Sequence, residues 1–280
     1  MISETEAQEL VDSKNLLTIG VKADEVRRRL HGARTTFVRV FEIHVDAPVS
    51  TLPPRTAAGE FRIIGSPESL QAAAEAVRSA KALAGHAVVT GFSLAELSHL
   101  GGASSLRDSC RLLREAGLDA IAAAPIDALE DPAATIADAR DGGLLVTRLT
   151  VNAPRDHDRG DLARRARDLQ EEVGGFRAFA PLARVVPAAS PTTGYDDVKQ
   201  IALARLIADN IESIQVDWQL YGPKLAQFAL TVGADDIDGV AAVDPGTLGT
   251  RRSPVEEIRG NIKSAGLEPV ERNGRFEAIG

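Results

Sequence analysis

FRIIGSPESLQAAAEAVRSAKALAGHAVVTGFSLAELSHL, residues 61–100, places two short apolar runs in alternation with two helical stretches. Phe61 to Gly65 and Ala87 to Val89, rich in Phe, Ile and Val, read as strands. Ser69 to Leu83 carries apolar residues three and four apart and reads as a helix, followed by a shorter one over Ser93 to Leu100. A strand, a crossover helix and a second strand form the unit from which parallel sheets are built.

The pattern continues in both directions. Upstream, Thr35 to His44 reads as a strand through Val38, Val40, Phe41 and Ile43, and Val45 to Gly59, with Pro48, Pro53 and Pro54, reads as a loop. Downstream, helices at Ser105 to Ala116, Ala133 to Arg140, Asp161 to Glu172, Asp196 to Asp209 and Gly222 to Thr231 alternate with further strands. Those strands are Asp119 to Ala123, Leu144 to Val151, Phe176 to Leu182, Ser213 to Asp217 and a short run around Ile237. About eight such units, in a chain of 280 residues, predict an α/β fold: a TIM-barrel-like (βα)8 barrel, which typically takes ~250 residues.

The expected organisation is a single domain over 1–280. An N-terminal segment, helical from about Glu4 to Leu30, fills 1–34; the barrel spans 35–240, and a C-terminal helix (Pro254 to Ser264) and tail occupy 241–280. In the tail, Leu267, Pro269 and Val270 are expected to cover one end of the barrel.

The net charge of -8 describes a surface that repels polyanions, so no nucleic-acid partner is expected. The start is acidic rather than basic, and no apolar run approaches the ~20 residues of a membrane span. The expectation is a soluble, cytoplasmic protein without a membrane partner. A single cysteine, Cys110, excludes an intrachain disulfide and any multi-cysteine zinc or iron-sulfur site within these residues. On the Ser105 to Ala116 helix it reads as a small buried apolar residue.

Functional groups of such barrels collect at the C-terminal ends of the strands. That rule nominates Glu42, His44 and Asp46, then Ser93 and Glu96, Asn152 and His157, Arg184, Asp217 and Trp218, and finally Asp235, Asp236 and Asp238. Glu42 and His44, two apart on a strand, point to one side; if it is the interior, Glu42 orients His44 as a general base, and otherwise they form an ion-paired rim. Asn152, Arg184, Asp217 and Trp218 are candidate pocket residues. Asp235, Asp236 and Asp238 read as a turn with a helix cap rather than a cation site, and Asp156, His157 and Asp158 as a capping loop. No metal is expected.

Several stretches resemble one family: LLTIGVKADEVRRRLHGARTTFV (16–38), Glu96 and His99 in SLAELSHL, LQEEVGGFRAFAPLA (169–183), PTTGYDD (191–197), ARLIADNIESIQVDW (204–218), GPKLAQFALTVGADDIDG (222–239) and EEIRGNIKSAGLEPVERN (256–273). This is similar to the radical S-adenosylmethionine (SAM) aminofutalosine synthases of menaquinone biosynthesis, which are related to cyclic dehypoxanthinyl futalosine synthase and the deazaflavin-cofactor synthases. The resemblance implies a radical-SAM type of barrel in which the loop after the first strand carries a C-x-x-x-C-x-x-C motif. Here Val45 to Gly59 contains no cysteine, and three thiolates are what hold such a cluster.

The resemblance further implies that Glu96 lies where the family binds SAM, and that Gly65 and Ser66 stand where it has a glycine pair near the SAM amino group. With these parts reduced, neither an iron-sulfur cluster nor SAM binding is expected. The expected function is that of a non-catalytic homologue whose partner is a second copy or a menaquinone-pathway enzyme, contacted near Leu52 and Phe61. The alternative is a non-radical acid-base enzyme, a lyase, hydrolase or isomerase, acting on a futalosine-like metabolite with Glu42 and His44.

Overall fold

The computed structural model describes residues 2–102, 104–153, 159–185, 192–244 and 254–279. Parallel strands β1 (Arg34–His44), β2 (Glu60–Ile64), β3 (Val88–Ser93), β4 (Ala120–Pro125), β5 (Arg148–Val151), β6 (Ala178–Ala183), β7 (Ser213–Asp217) and β8 (Asp236–Ala241) follow one another around a closed barrel. Closure is made by β1, which pairs with β8 from Thr36 and with β2 from Val40. The helices α3 (Leu70–Ala84), α4 (Leu94–Leu100), α5 (Leu106–Ala116), α6 (Pro132–Asp141), α7 (Arg159–Glu172), α8 (Gly194–Ile207) and α9 (Trp218–Ala229) fall in the crossovers, as the alternation in the sequence requires.

Side chains alternate across each strand. Phe37, Ile43, Phe61, Ile63, Val89, Ile121, Leu149, Phe179, Ile214 and Ile237 belong to the main apolar core, together with helix residues such as Val77, Leu113, Ile136 and Ile201. Their alternates face the barrel axis. Thr36, Glu60, Arg62, Thr90, Arg148, Gln215, Asp236 and Asp238 meet there in one hydrogen-bonded network. The barrel of this chain is thus apolar towards its helices and ionic inside.

The N-terminal helical segment consists of two helices, α1 (Glu4–Asp12) and α2 (Leu16–His31), because the Asn15 side chain accepts a hydrogen bond from Thr18 N and starts a new helix. Two differences from the sequence reading have clear causes. The tail after α10 (Pro254–Ser264) is not a cover alone: β9 (Glu268–Glu271) adds to β1, pairing Arg34–Phe37 below the point where β2 takes over. Asp236 and Asp238 are not turn or cap residues but fully buried members of β8, and Asp235 is buried at its start, ion-paired with Arg205.

Candidate functional site

At the C-terminal end of the barrel, Glu42 and Asp217 share the field of one inner network. Arg62 on β2 is fully buried and binds Asp238 through two nitrogens, Nη2 to Oδ1 at 2.8 Å and Nη1 to Oδ2 at 3.0 Å, while its Nε donates to Glu60 at 2.8 Å. Arg148 on β5 binds the same Asp238 and donates to Gln215 Oε1 at 3.2 Å. Gln215 in turn donates to Asp236 at 2.7 Å. Burial opposes ionisation of Asp238, yet Arg148 and Arg62 together hold its carboxyl far below the usual carboxylate range.

Glu42, the register partner of Arg62 on the neighbouring strand, is half-buried, and its side chain makes no hydrogen bond among the described residues. Burial pushes its carboxyl up; Arg62 opposes the rise, Asp217 and Asp238 add to it, and His44 opposes it. Asp217 is raised first by burial and then by Asp238, against the Leu220 amide, Arg184 and Arg62. Its Oδ1 caps α9 by accepting from Leu220 N at 2.9 Å. Gly239 makes room for it: a Cβ there would lie 2.9 Å from that oxygen, and the glycine itself sits at φ 71°. Two carboxyls that burial pushes up from the usual carboxylate range, beside buried arginines, make a site suited to holding and releasing a proton.

The remaining candidates divide. His44 is exposed at the end of β1 and takes no side-chain hydrogen bond among the described residues, so the pair on β1 is not joined by one. Arg184 is half-buried; it contributes its charge to Asp217 and makes no side-chain hydrogen bond among the described residues. Asn152 is held at the end of β5 by Asp127, which accepts from Asn152 N at 2.7 Å and Ala153 N at 2.8 Å. Asp127 was not singled out from the sequence, where only its position after β4 offered a signal. Trp218 opens α9 and is half-buried against the apolar core. Asp156, His157 and Asp158 lie outside the described residues.

The inner wall has open hydrogen-bonding capacity. Ala120 and Ala180, register partners of Thr90 and Thr150, put small side chains on the β4 and β6 sides. Ala180 is only half-buried in the middle of the sheet. Thr150 Oγ1 and Arg148 Nε are buried without a partner among the described residues, a cost that a water or ligand atom relieves.

Glu96 and Ser66 form a second, rim site. Ser66 Oγ donates to Glu96 Oε1 at 2.8 Å, tying the end of β2 to α4. Beside them Phe92, Leu97, His99 and Leu100 line a cavity of about 340 Å³. Phe92 holds φ at 60°, a strained state for an aromatic residue that costs ~1–3 kcal/mol. Gly65 lies at φ 92°, and a Cβ there would meet Val45 Cγ1 at 3.0 Å; the glycine lets the link after β1 settle on the end of β2.

That link, 45–59, decides the fit to an iron-sulfur cluster. It contains no thiol, and it is tied down at both ends: Val45 N donates to Ile64 O, Ala57 N to Ala242 O and Gly59 N to Arg39 O, each at 2.9 Å. The one thiol, Cys110, is fully buried on α5, and burial pushes it up to about 11. Among the described residues no group of three or more His, Cys, Asp or Glu is placed to hold a metal ion. The residues present do not fit a cysteine-held cluster.

Residues 177–279 match the family model described as the CofH/MqnC C-terminal region. An aminodeoxyfutalosine synthase of Streptomyces coelicolor is 34% identical over 150 residues, 46% of this chain and 38% of that protein. Another, of Thermus thermophilus, is 31% identical over 227 residues, 68% of this chain and 60% of that protein. The chain therefore spans between 38% and 60% of the length of these two relatives. Among solved structures, methylornithine synthase superposes with a TM-score of 0.65 at 13% identity, covering 96% of this chain and 94% of that one, a likeness of fold.

Proposed function

Since the chain is homologous to the radical-SAM enzymes of the futalosine route and is itself a radical-SAM-like barrel without thiolates for a cluster, we propose that it is an accessory or regulatory partner in that route to menaquinone. The observation that carries this reading is the link 45–59: it lacks the ligands and is also bonded down onto β1, β2 and the end of β8. A partner would contact the face beside this link, where Leu52 is exposed; Phe61, offered alongside it from the sequence, is 4% exposed and packs inward against Phe41. No helix of the described residues is long and apolar enough to cross a membrane, and the proposed place of action is the cytoplasm. The test is to add purified protein to a catalytic aminodeoxyfutalosine synthase from the same cell. A saturable change in turnover, with co-elution of the two, is expected; no effect at stoichiometric excess contradicts it.

One observation favours a second reading, acid-base catalysis: Glu42 and Asp217 are both raised in a site that retains unpartnered buried donors. In that reading Glu42, rather than His44, is the proton carrier, because it is the half-buried member of the pair. Turnover of a futalosine-like metabolite by the protein alone, abolished in Glu42→Gln with the fold retained, would establish it over the first.

A further inference from the structure

The opposite end of the barrel, where the strands begin, carries a cation cluster that neither reading uses. A crevice of about 260 Å³ is lined by Arg34, Arg177, Arg272, His31, Ser213 and Phe276. In a chain of net charge -8 such a concentration of guanidinium groups stands against the composition. Strand starts in this fold ordinarily serve stability, and arginines that serve stability are normally paired. Arg34 is not: among the described residues it makes no side-chain hydrogen bond and no ion pair, although it lines the crevice.

The other groups are held in place and retain capacity. Arg272 is buried at the end of β9, donates from Nε and Nη2 to Asp236 at 2.6 and 2.7 Å and from Nη1 to Asn273 O at 2.9 Å, and stacks 4.0 Å over Phe276. Three of its N–H donors are thus used and two remain of the five a guanidinium offers. Ser213 is 7% exposed, and its hydroxyl has no hydrogen bond among the described residues. Arg177 is bound to Glu212 at 2.9 Å, but both side chains are about half exposed (49% and 51%), so this pair yields readily to a stronger acceptor.

Two carboxylates also line the crevice. Glu212 is the partner of Arg177, and Asp235 is engaged by Arg205 and by Ile214 N at 2.8 Å. His31 Nε2 lies 2.8 Å from Glu212 O and 3.4 Å from Asp235 Oδ2, so its N–H is committed to these acceptors. The free donors therefore come from Arg34, Arg272 and Ser213, with Arg177 available on opening. They arise from the starts of three strands and the end of a fourth. The three acceptor oxygens and the charge of about -1.5 to -2 of a phosphoryl group match this number of cationic and hydroxyl donors better than the two oxygens and single charge of a carboxylate.

We propose that this crevice binds the phosphoryl group of a small phosphate monoester, with Arg34 and Arg177 as the principal anion contacts and Arg272 and Ser213 as the fixed floor. The Phe276 ring supplies an apolar wall for the organic part.

The test is titration calorimetry in low-salt buffer with inorganic phosphate and with ribose 5-phosphate as probes, supported by thermal unfolding. Saturable binding and a concentration-dependent rise in Tm are expected, and the Arg34→Ala/Arg177→Ala double variant should weaken binding at least tenfold. Both substitutions are on exposed side chains; if the double variant loses its far-UV signal, Arg34→Gln alone is used. Ribose 5-phosphate binding at least tenfold tighter than phosphate identifies an ester as the ligand. Equal affinities retain the phosphoryl site but replace the ester with free phosphate. Absence of binding by both probes, or binding unchanged in a folded variant, overturns the site.

Discussion

Arg62 on β2 grips Asp238 on β8, past the intervening β1, with two parallel hydrogen bonds inside the barrel, and Arg148 reaches the same carboxylate from β5. The three side chains are 5% exposed or less. Charges so placed are expensive to desolvate and are tolerated only when each finds its partner. The network thereby fixes which strands face each other inside the barrel, and it sets the field under Glu42 and Asp217.

Asp238→Ala should therefore destabilise the fold by about 3–5 kcal/mol, the usual effect of leaving a buried partner unpaired. Two guanidinium groups lose their shared acceptor in this case. Urea unfolding monitored by circular dichroism measures it, and a loss below about 1 kcal/mol would show that the barrel interior is hydrated enough to replace the carboxylate.

The two classes of carboxyl should titrate with opposite sign. Asp238 is depressed in the folded state, so its contribution is complete above the unfolded aspartate value of ~3.9 and is lost as pH falls below it. Asp217 is raised, so its contribution is present below ~3.9 and lost as pH rises through its folded value. Asp217→Asn keeps a cap for Leu220 while removing the charge. The variant should gain stability relative to the parent as pH rises from ~4 to ~7; a constant difference across that range would contradict the assignment.

Cys110 should be silent to alkylation in the folded protein. Its thiol is fully buried, and burial pushes it up to about 11, so little thiolate exists near neutral pH. Iodoacetamide should label it only after denaturation, and mass spectrometry of the native reaction should show unmodified chain. Rapid native labelling would mean that α5 opens away from α6.

The alternation of strands and helices was legible in the sequence because each element carries its own period and its own caps, as in Phe61 to Leu100. The inner network was not. Asp236 and Asp238 look locally like a turn, and their partners Arg62, Arg148 and Arg272 are distributed along the chain; only closure of the barrel brings them together. β9 was missed because it is short, contains Pro269, and gains its strand character from pairing with Arg34–Phe37. Of the candidate site, Glu96 and Ser66 do meet and Glu42 and Asp217 do share a field. Which way Glu42 and His44 point could not be read from spacing alone.

This barrel has the radical-SAM form without the thiolates to hold a cluster. Anaerobic reconstitution with ferrous iron and sulfide, followed by desalting and iron analysis, tests it most directly. Iron far below one equivalent per chain and no cluster absorbance are expected. Roughly four irons per chain, with matching sulfide as in a [4Fe–4S] centre, would contradict it.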